Sequence, residues 1–379
     1  MSTPSVLRTA PEYPESQRPP HIHKISRPDA WCKATSLAFL IFEKKDLSRA
    51  ARFWSDFGLM PVTHTAESLV MRAAGPTPAC LVARKARRSR YVGAAFEVPE
   101  STDFAQLKRQ SGAKDLNRAD IPGGGEGVRL IDPDGHEVWL LRRWARVPEL
   151  ALRPALIEQM NALGHLNRVN RTVRPPIEPA RIGRLGHVVM QTTDFARMAN
   201  WYMQHLGLLP TDVQYLPDGS PLLTFFRLDL GRTPADHHTV VIAEGIENRY
   251  EHSAWEVADL DALGQGQQVL RANGHRHMWG IGRHVLGSQL FDYWLDDDGF
   301  EFEHYTDGDL FTADHEPHYV PFTPGSIWAW GDDAPDTMFP KKTPVMLWKV
   351  LKLLIQKRMT VSRLRMLGSV LDTPARPWS

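Results

Sequence analysis

Between Gly282 and Tyr305 the chain reads GRHVLGSQLFDYWLDDDGFEFEHY: a histidine, a tyrosine and a closing carboxylate, Glu303, in a strand–turn–strand pattern. Two further histidines, His187 and His252, hold matching places in an internal repeat, each seven residues before an aspartate, Asp194 or Asp259. Two imidazoles and one carboxylate suit a divalent metal that must keep adjacent coordination positions open, iron(II) first and manganese(II) as a second candidate. Alternate residues of a strand share a face, so Glu301, Glu303 and Tyr305 point one way and Phe300, Phe302 and His304 the other. His284, Tyr293 and the pair His237-His238 add groups able to hold and move protons beside such a metal. Taken singly, His284 and Tyr293 could equally be satisfied core or surface residues; their spacing to Glu303 favours function. His304 is expected to make a surface or core polar contact. His275 and His277, in ANGHRHMWG, are expected to sit in a loop without a ligand role.

The elements that must position these groups repeat. HVVMQTTD and HSAWEVAD each read as a strand and a turn, and each aspartate is placed to cap the helix that follows. Glycines Gly207 and Gly274 close the helices. Further strands complete a βαβββ module used twice. The earlier part of the chain carries the same plan: SLAFLIFEKKDLSRAARFWSDFGLMP resembles HVVMQTTDFARMANWYMQHLGLLP, and IDPDGHEVWLL resembles LDDDGFEFEHY. The expected fold is α+β, with four modules paired into two domains and cupped sheets. In the first domain the place of His187 falls on Ala38 or Phe39, that of His252 on Gly93 and that of Glu303 on Trp139. The plan is kept there without any of the three ligands, which argues that the triad serves chemistry rather than packing.

The 379 residues allow two ordinary domains, and 45 basic against 44 acidic residues give no reason to expect nucleic-acid binding. Two cysteines, Cys32 and Cys80, make no disulfide framework, and no run of about 18 apolar residues spans a membrane. With no secretory leader evident, a cytoplasmic protein that self-associates is expected. Residues 1–33 read as an extended proline-rich arm, 34–145 as a metal-free domain, and 146–183 as a linker, helical around Pro148–Leu163. Residues 184–308 read as the catalytic domain and 309–379 as an extension. In that extension, Val345 to about Leu367 forms a basic amphipathic helix. Packing on a neighbouring domain or subunit with a solvated basic face is favoured over contact with a membrane surface. Trp328 and Trp330 suggest that the preceding piece covers something apolar. The GGGEG run at 123–127 lacks the context of a phosphate loop and reads as a turn.

The spacing of His284, Tyr293, Gly299 and Glu303 resembles that of the type I extradiol ring-cleavage dioxygenases, within the vicinal oxygen chelate superfamily, over residues 34–308. A proline usual in the turn is absent; Asp296, Asp297 and Asp298 stand there instead. The resemblance implies a vicinal-oxygen-chelate fold and iron(II) held by His187, His252 and Glu303. It implies oxidation of a catechol by O2, breaking the ring bond beside the two hydroxyls. Tyr293 would hydrogen-bond the deprotonated catechol oxygen and His284 would stabilise bound substrate. His237 would be the acid–base group beside oxygen, or His238 if one residue is inserted. Phe291, Trp294, Trp279 and Leu286 would suit a hydrophobic catechol. Two other functions remain on this fold: a glyoxalase-like lyase or isomerase, which typically presents a fourth ligand, and a binding protein without chemistry.

Overall fold

The computed structural model describes residues 12–335 and 343–372, so Lys341 and Lys342 of the basic tail lie outside the described residues. The first half builds β1 (Ser36–Lys44), α1 (Leu47–Asp56), β2 (Met60–His64), β3 (Ser68–Arg72) and β4 (Leu81–Lys85). It then repeats with β5 (Arg90–Glu97), α2 (Phe104–Ser111), β6 (Lys114–Asp115), β7 (Glu126–Ile131) and β8 (Glu137–Arg142). These strands form one sheet in the order β2-β3-β4-β1-β5-β8-β7-β6. The two modules join where the first strand of each, β1 and β5, pair antiparallel.

The second half follows with β9 (Ile182–Thr192), α3 (Phe195–Leu206), β10 (Leu209–Tyr215), β11 (Pro221–Arg227) and β12 (Val240–Glu244). Its second module is β13 (Arg249–Val257), α4 (Leu260–Ala272), β14 (Arg276–His284), β15 (Leu290–Leu295) and β16 (Glu301–Thr306). The strands run β10-β11-β12-β9-β13-β16-β15-β14, again joined through the first strands. The sheet also takes Tyr13–Pro14 and His318–Pro321 on one edge and Trp328–Gly331 on the other, all from outside residues 184–308. Both capping aspartates act as expected: Asp194 accepts from the Arg197 amide at 3.2 Å and Asp259 from that of Ala262 at 2.8 Å.

The register settles how the halves correspond. A bulge falls between Leu37 and Phe39 in β1 and between Leu185 and His187 in β9, so His187 corresponds to Phe39 rather than Ala38. His252 corresponds to Gly93 and Glu303 to Trp139. A side chain at Gly93 would place its Cβ 1.8 Å from the Glu137 carbonyl oxygen, so no ligand fits there. Phe39 and Trp139 meet edge to face at 5.9 Å and fill the place of the triad with aromatic core.

The turn without proline has its own use. Lys44, at the end of β1 and fully buried, forms an ion pair with Asp296 and reaches Asp298 at 3.3 Å, while Arg49 bonds Asp297 at 2.9 Å. The Lys44 ammonium also lies 4.2 Å from the centre of the Phe300 ring. Asp296 Oδ1 accepts from the amides of Asp298 and Phe300, which shapes the turn that feeds β16. The opposite face of β16 seals the same boundary: His304 stacks on Phe57 at 3.8 Å and bonds its carbonyl at 2.6 Å. Burial pushes the His304 ring down to about 4, so it packs as a neutral ring at neutral pH.

Two expectations are corrected. Pro148–Leu163 forms no α-helix; only Ile157–Gln159 makes a single 3-10 turn, since Pro148 and Pro154 remove donors that a helix needs. The basic segment is two helices, α5 (Pro344–Ile355) and α6 (Val361–Leu371), and α5 turns apolar side chains, not only basic ones, to solvent.

Removing one partner of a buried ion pair leaves an uncompensated charge, so Lys44→Met should cost about 3–5 kcal/mol in urea unfolding. Adding Asp296→Asn removes the stranded charge yet keeps the turn acceptor, and the double variant should be more stable than Lys44→Met alone. A double variant no better than the single one contradicts this account of the contact.

Candidate metal centre

β9, β13 and β16 lie side by side, which sets their inward residues at one level. Val189 pairs with His252, His187 with Ala254, and Ala254 with Glu303. One donor atom from each of His187, His252 and Glu303 lies within 4.8 Å of the others. The imidazole Nε2 atoms of His187 and His252 approach Glu303 Oε2 to 3.3 and 3.5 Å, and that of His284 approaches Oε1 to 3.6 Å. Glu303 is fully buried, yet neither of its oxygens makes a hydrogen bond among the described residues; His187 Nδ1 is orphaned as well. Burial opposes ionisation of Glu303, and the His187 and His284 rings more than reverse it, holding the carboxyl well below its ordinary range. Burial pushes His252 down to about 3, so it is a neutral imidazole with a lone pair to give. A buried carboxylate without donors beside two imidazoles is the donor set of a divalent cation, and the three residues fit iron(II) or manganese(II).

The second half contains its own comparison for a fourth ligand. Its two modules correspond through His187 and His252, and Glu303 is the partner of the residue two after His252. The partner of the residue two after His187, Val189, is Val241. Valine cannot ligate, so the place symmetric to Glu303 is apolar and opens onto the cavity.

That cavity, about 560 Å³, suits a small organic ligand. His187, His252, His238, His284 and Tyr293 line one end, and Phe225, Trp279 and Leu222 line apolar wall. Of the four residues expected to favour a hydrophobic substrate, Trp279 and Leu286 line the cavity. Phe291 instead stacks beneath His284 at 4.1 Å, and Trp294 is buried with its indole N–H on Asp292. Gln191, Arg249, Glu251 and Glu301 add a polar stretch of lining that was not singled out from the sequence. Burial pushes Glu301 up to about 8, with Glu251 and Glu303 adding to the rise.

The catalytic candidates divide between the cavity and the layer behind it. His284 Nδ1 bonds the Ile327 carbonyl at 2.8 Å, which makes it an N–H, and Nε2 lies 2.9 Å from the Tyr293 hydroxyl. Burial first, then Glu303, raises Tyr293 well above its ordinary value, so it stays a phenol. The preference for His237 at the oxygen side is corrected by the geometry. His238 lines the cavity with its ring centre 4.0 Å from that of His187, whereas His237 is buried behind it. The two lie in the bend between Ala235–Asp236 and β12, with their ring planes 88° apart. His237 Nε2 bonds Asp212 at 2.6 Å and its Nδ1 meets His238 Nδ1 at 2.8 Å. Burial first, then the neighbouring histidines, lowers His238 well below its ordinary value, so it is a neutral imidazole whose Nδ1 is engaged by His237. Asp212 escaped the sequence reading because it lies 25 residues from His237, on β10. His275 bonds Asp56 and His277 bonds Asp292, each at 2.8 Å; His277 lies on β14 rather than in the expected loop.

Residues 184–304 match the Glyoxalase/Bleomycin resistance protein/Dioxygenase superfamily. Over 305 residues the chain is 30% identical to Metapyrocatechase 2 of Cupriavidus necator, covering 79% of this chain and 90% of that one. The chain belongs to the extradiol dioxygenases of this superfamily. The family fold extends to solved structures of low identity. An extradiol ring-cleaving dioxygenase from B. fuscum superposes with a TM-score of 0.69 at 18% identity, covering 84% of this chain and 85% of that one. The Mn(II)-bound glyoxalase from Novosphingobium aromaticivorans superposes with a TM-score of 0.67 at 22% identity, covering 83% and 97%. Fold alone therefore does not separate ring cleavage from glyoxalase chemistry; the ligand count and the groups around the cavity must. Among the described residues no helix is long and apolar enough to cross a membrane.

Glu303→Gln keeps volume but removes the only charged ligand. The variant should fold with a metal-free thermal midpoint no lower than the native protein's, lose stoichiometric iron(II), and lose the rise in midpoint that metal gives the native protein. Full iron content in the variant contradicts the assignment of Glu303.

Proposed function

We propose that this protein is an iron(II) dioxygenase that opens the ring of an apolar, substituted catechol next to its two hydroxyls. The observation that carries the proposal is the three-ligand site with Val241 in the fourth place, facing a cavity that holds His238 and the His284–Tyr293 pair. A lyase or isomerase that needs a fourth ligand meets an isopropyl group there. His187, His252 and Glu303 would hold iron(II), which would supply a redox-active centre for the diol and O2; manganese(II) accepts the same donors.

The protein's own groups do the rest. Phe225, Trp279 and Leu222 hold the ring of the substrate and exclude water from it. Tyr293 and His284, locked to each other and to the Ile327 carbonyl, present fixed polar atoms to the diol. His238 Nε2 is the free base of the site and takes a proton from the diol or returns one at the oxygen side. Its tautomer is held by His237 and Asp212.

Oxygen uptake by protein loaded anaerobically with iron(II), measured against catechols that include an aryl-substituted one, tests the reading. Consumption of O2 with a yellow ring-opened product, best with the aryl substrate, is expected. Bound iron without consumption of any catechol contradicts it. His238→Phe should lower kcat by about 10²–10⁴ while iron stays bound. Asp212→Asn keeps the shape but loosens the tautomer, and should lower kcat by about tenfold with little change in KM. If both variants turn over normally, His238 is not the acid–base group.

A further inference from the structure

The two C-terminal helices are unlike each other in what they cover. In α6, Val370 packs with Leu216 and Leu222, Arg363 bonds Glu244 at 2.7 and 3.0 Å, and Leu367 and Leu371 line the substrate cavity. In α5 only Leu353 is buried. Leu347, Trp348, Leu351 and Ile355 are 61, 63, 53 and 72% exposed. Their spacing of three and four residues puts them on one face of the helix, so α5 shows solvent a continuous apolar stripe. Val361, 51% exposed at the start of α6, extends the exposed apolar surface beyond α5. A stripe of this kind marks a surface that is covered when the protein works.

Charge identifies the cover. From Thr337 to Leu371 the sequence has eight lysines and arginines and no acidic residue. With a net charge of +1 for the whole chain, the remainder carries −7. Lys349 pairs with Glu247, but Lys352, Lys357, Arg358 and Arg365 are exposed around the stripe. A second copy docked face to face would bring two such cationic segments together. An anionic bilayer offers what the stripe lacks: acyl chains for Leu347, Leu351 and Ile355, an interface for the Trp348 indole, and phosphates for the flanking cations.

We propose that α5 docks this protein on the surface of an anionic phospholipid bilayer, lying in the interface with its apolar stripe inward. α6 follows after five residues and borders the cavity, so docking holds the cavity near a phase in which apolar aromatic compounds concentrate. The surface assignment does not depend on the reaction. It replaces the expectation of a solvated basic face.

The test uses the full chain loaded with iron(II) and two sets of vesicles, one of phosphatidylglycerol and phosphatidylcholine and one of phosphatidylcholine alone. Co-sedimentation with the anionic vesicles at low salt, weakening as salt rises, is expected. Leu351→Gln/Ile355→Gln should weaken that partitioning by about tenfold or more, with iron content and thermal midpoint unchanged, because neither side chain is in the core. The proposal is overturned if the native protein does not sediment with anionic vesicles. Equal sedimentation of the double variant also overturns it. So does a native oligomer that the double variant converts to monomers without any vesicle binding, which would make the stripe a subunit contact.

Discussion

Everything in the second half is arranged around a carboxylate that the protein does not neutralise. Glu303 is fully buried and ionised, and among the described residues no donor reaches either oxygen within bonding geometry. Burying a charge in this way costs several kcal/mol unless something compensates it. The nearest groups are the His187 and His252 imidazoles, whose Nε2 atoms lie 3.3 and 3.5 Å from Oε2. The surrounding strands hold this arrangement rather than relax it. Gly186 is part of that constraint: a Cβ there would lie 2.1 Å from the Tyr305 hydroxyl, so the glycine lets Tyr305 pack against β9 next to His187.

Duplication divides the labour. The first half keeps the sheet but replaces the ligands with Phe39, Gly93 and Trp139, and the Glu137 backbone leaves no space for a side chain at the middle one. What it contributes is support. Lys44 and Arg49 grip the aspartate turn, and Phe57 backs His304, so both ends of β16 are held while Glu303 sits between them. Asp132 and Asp134 of the equivalent first-half turn are contacted in return by Tyr202 at 3.1 Å and Asn248 at 2.7 Å. The pseudo-symmetry of the fold thus becomes a mutual clamp.

Much of this was legible in the residues because period and spacing are local. The two histidine–aspartate repeats mark the strand–helix joints, and alternation in EFEHY separates Glu303 from His304. Where the reading went astray, the deciding partner was distant in sequence. Nothing near His237 reveals that Asp212 will take it and leave the cavity to His238. Likewise, the buried ion pair of Lys44 and Asp296 spans 252 residues. The linker departs from expectation for a local reason: its own prolines, Pro148 and Pro154, prevent the helix. The tail is basic, but it forms two helices where one was expected. Which face meets solvent depends on packing, and that is not written in the period.

The central claim is that three protein ligands hold the metal and leave adjacent positions for both substrates. X-ray absorption at iron(II), recorded anaerobically with a saturating catechol and then with nitric oxide as a stand-in for O2, tests it most directly. The account predicts a first sphere of two imidazoles and one carboxylate, with both catechol oxygens bound and nitric oxide still able to add. A fourth protein ligand, or nitric oxide that binds only by displacing the catechol, would contradict it.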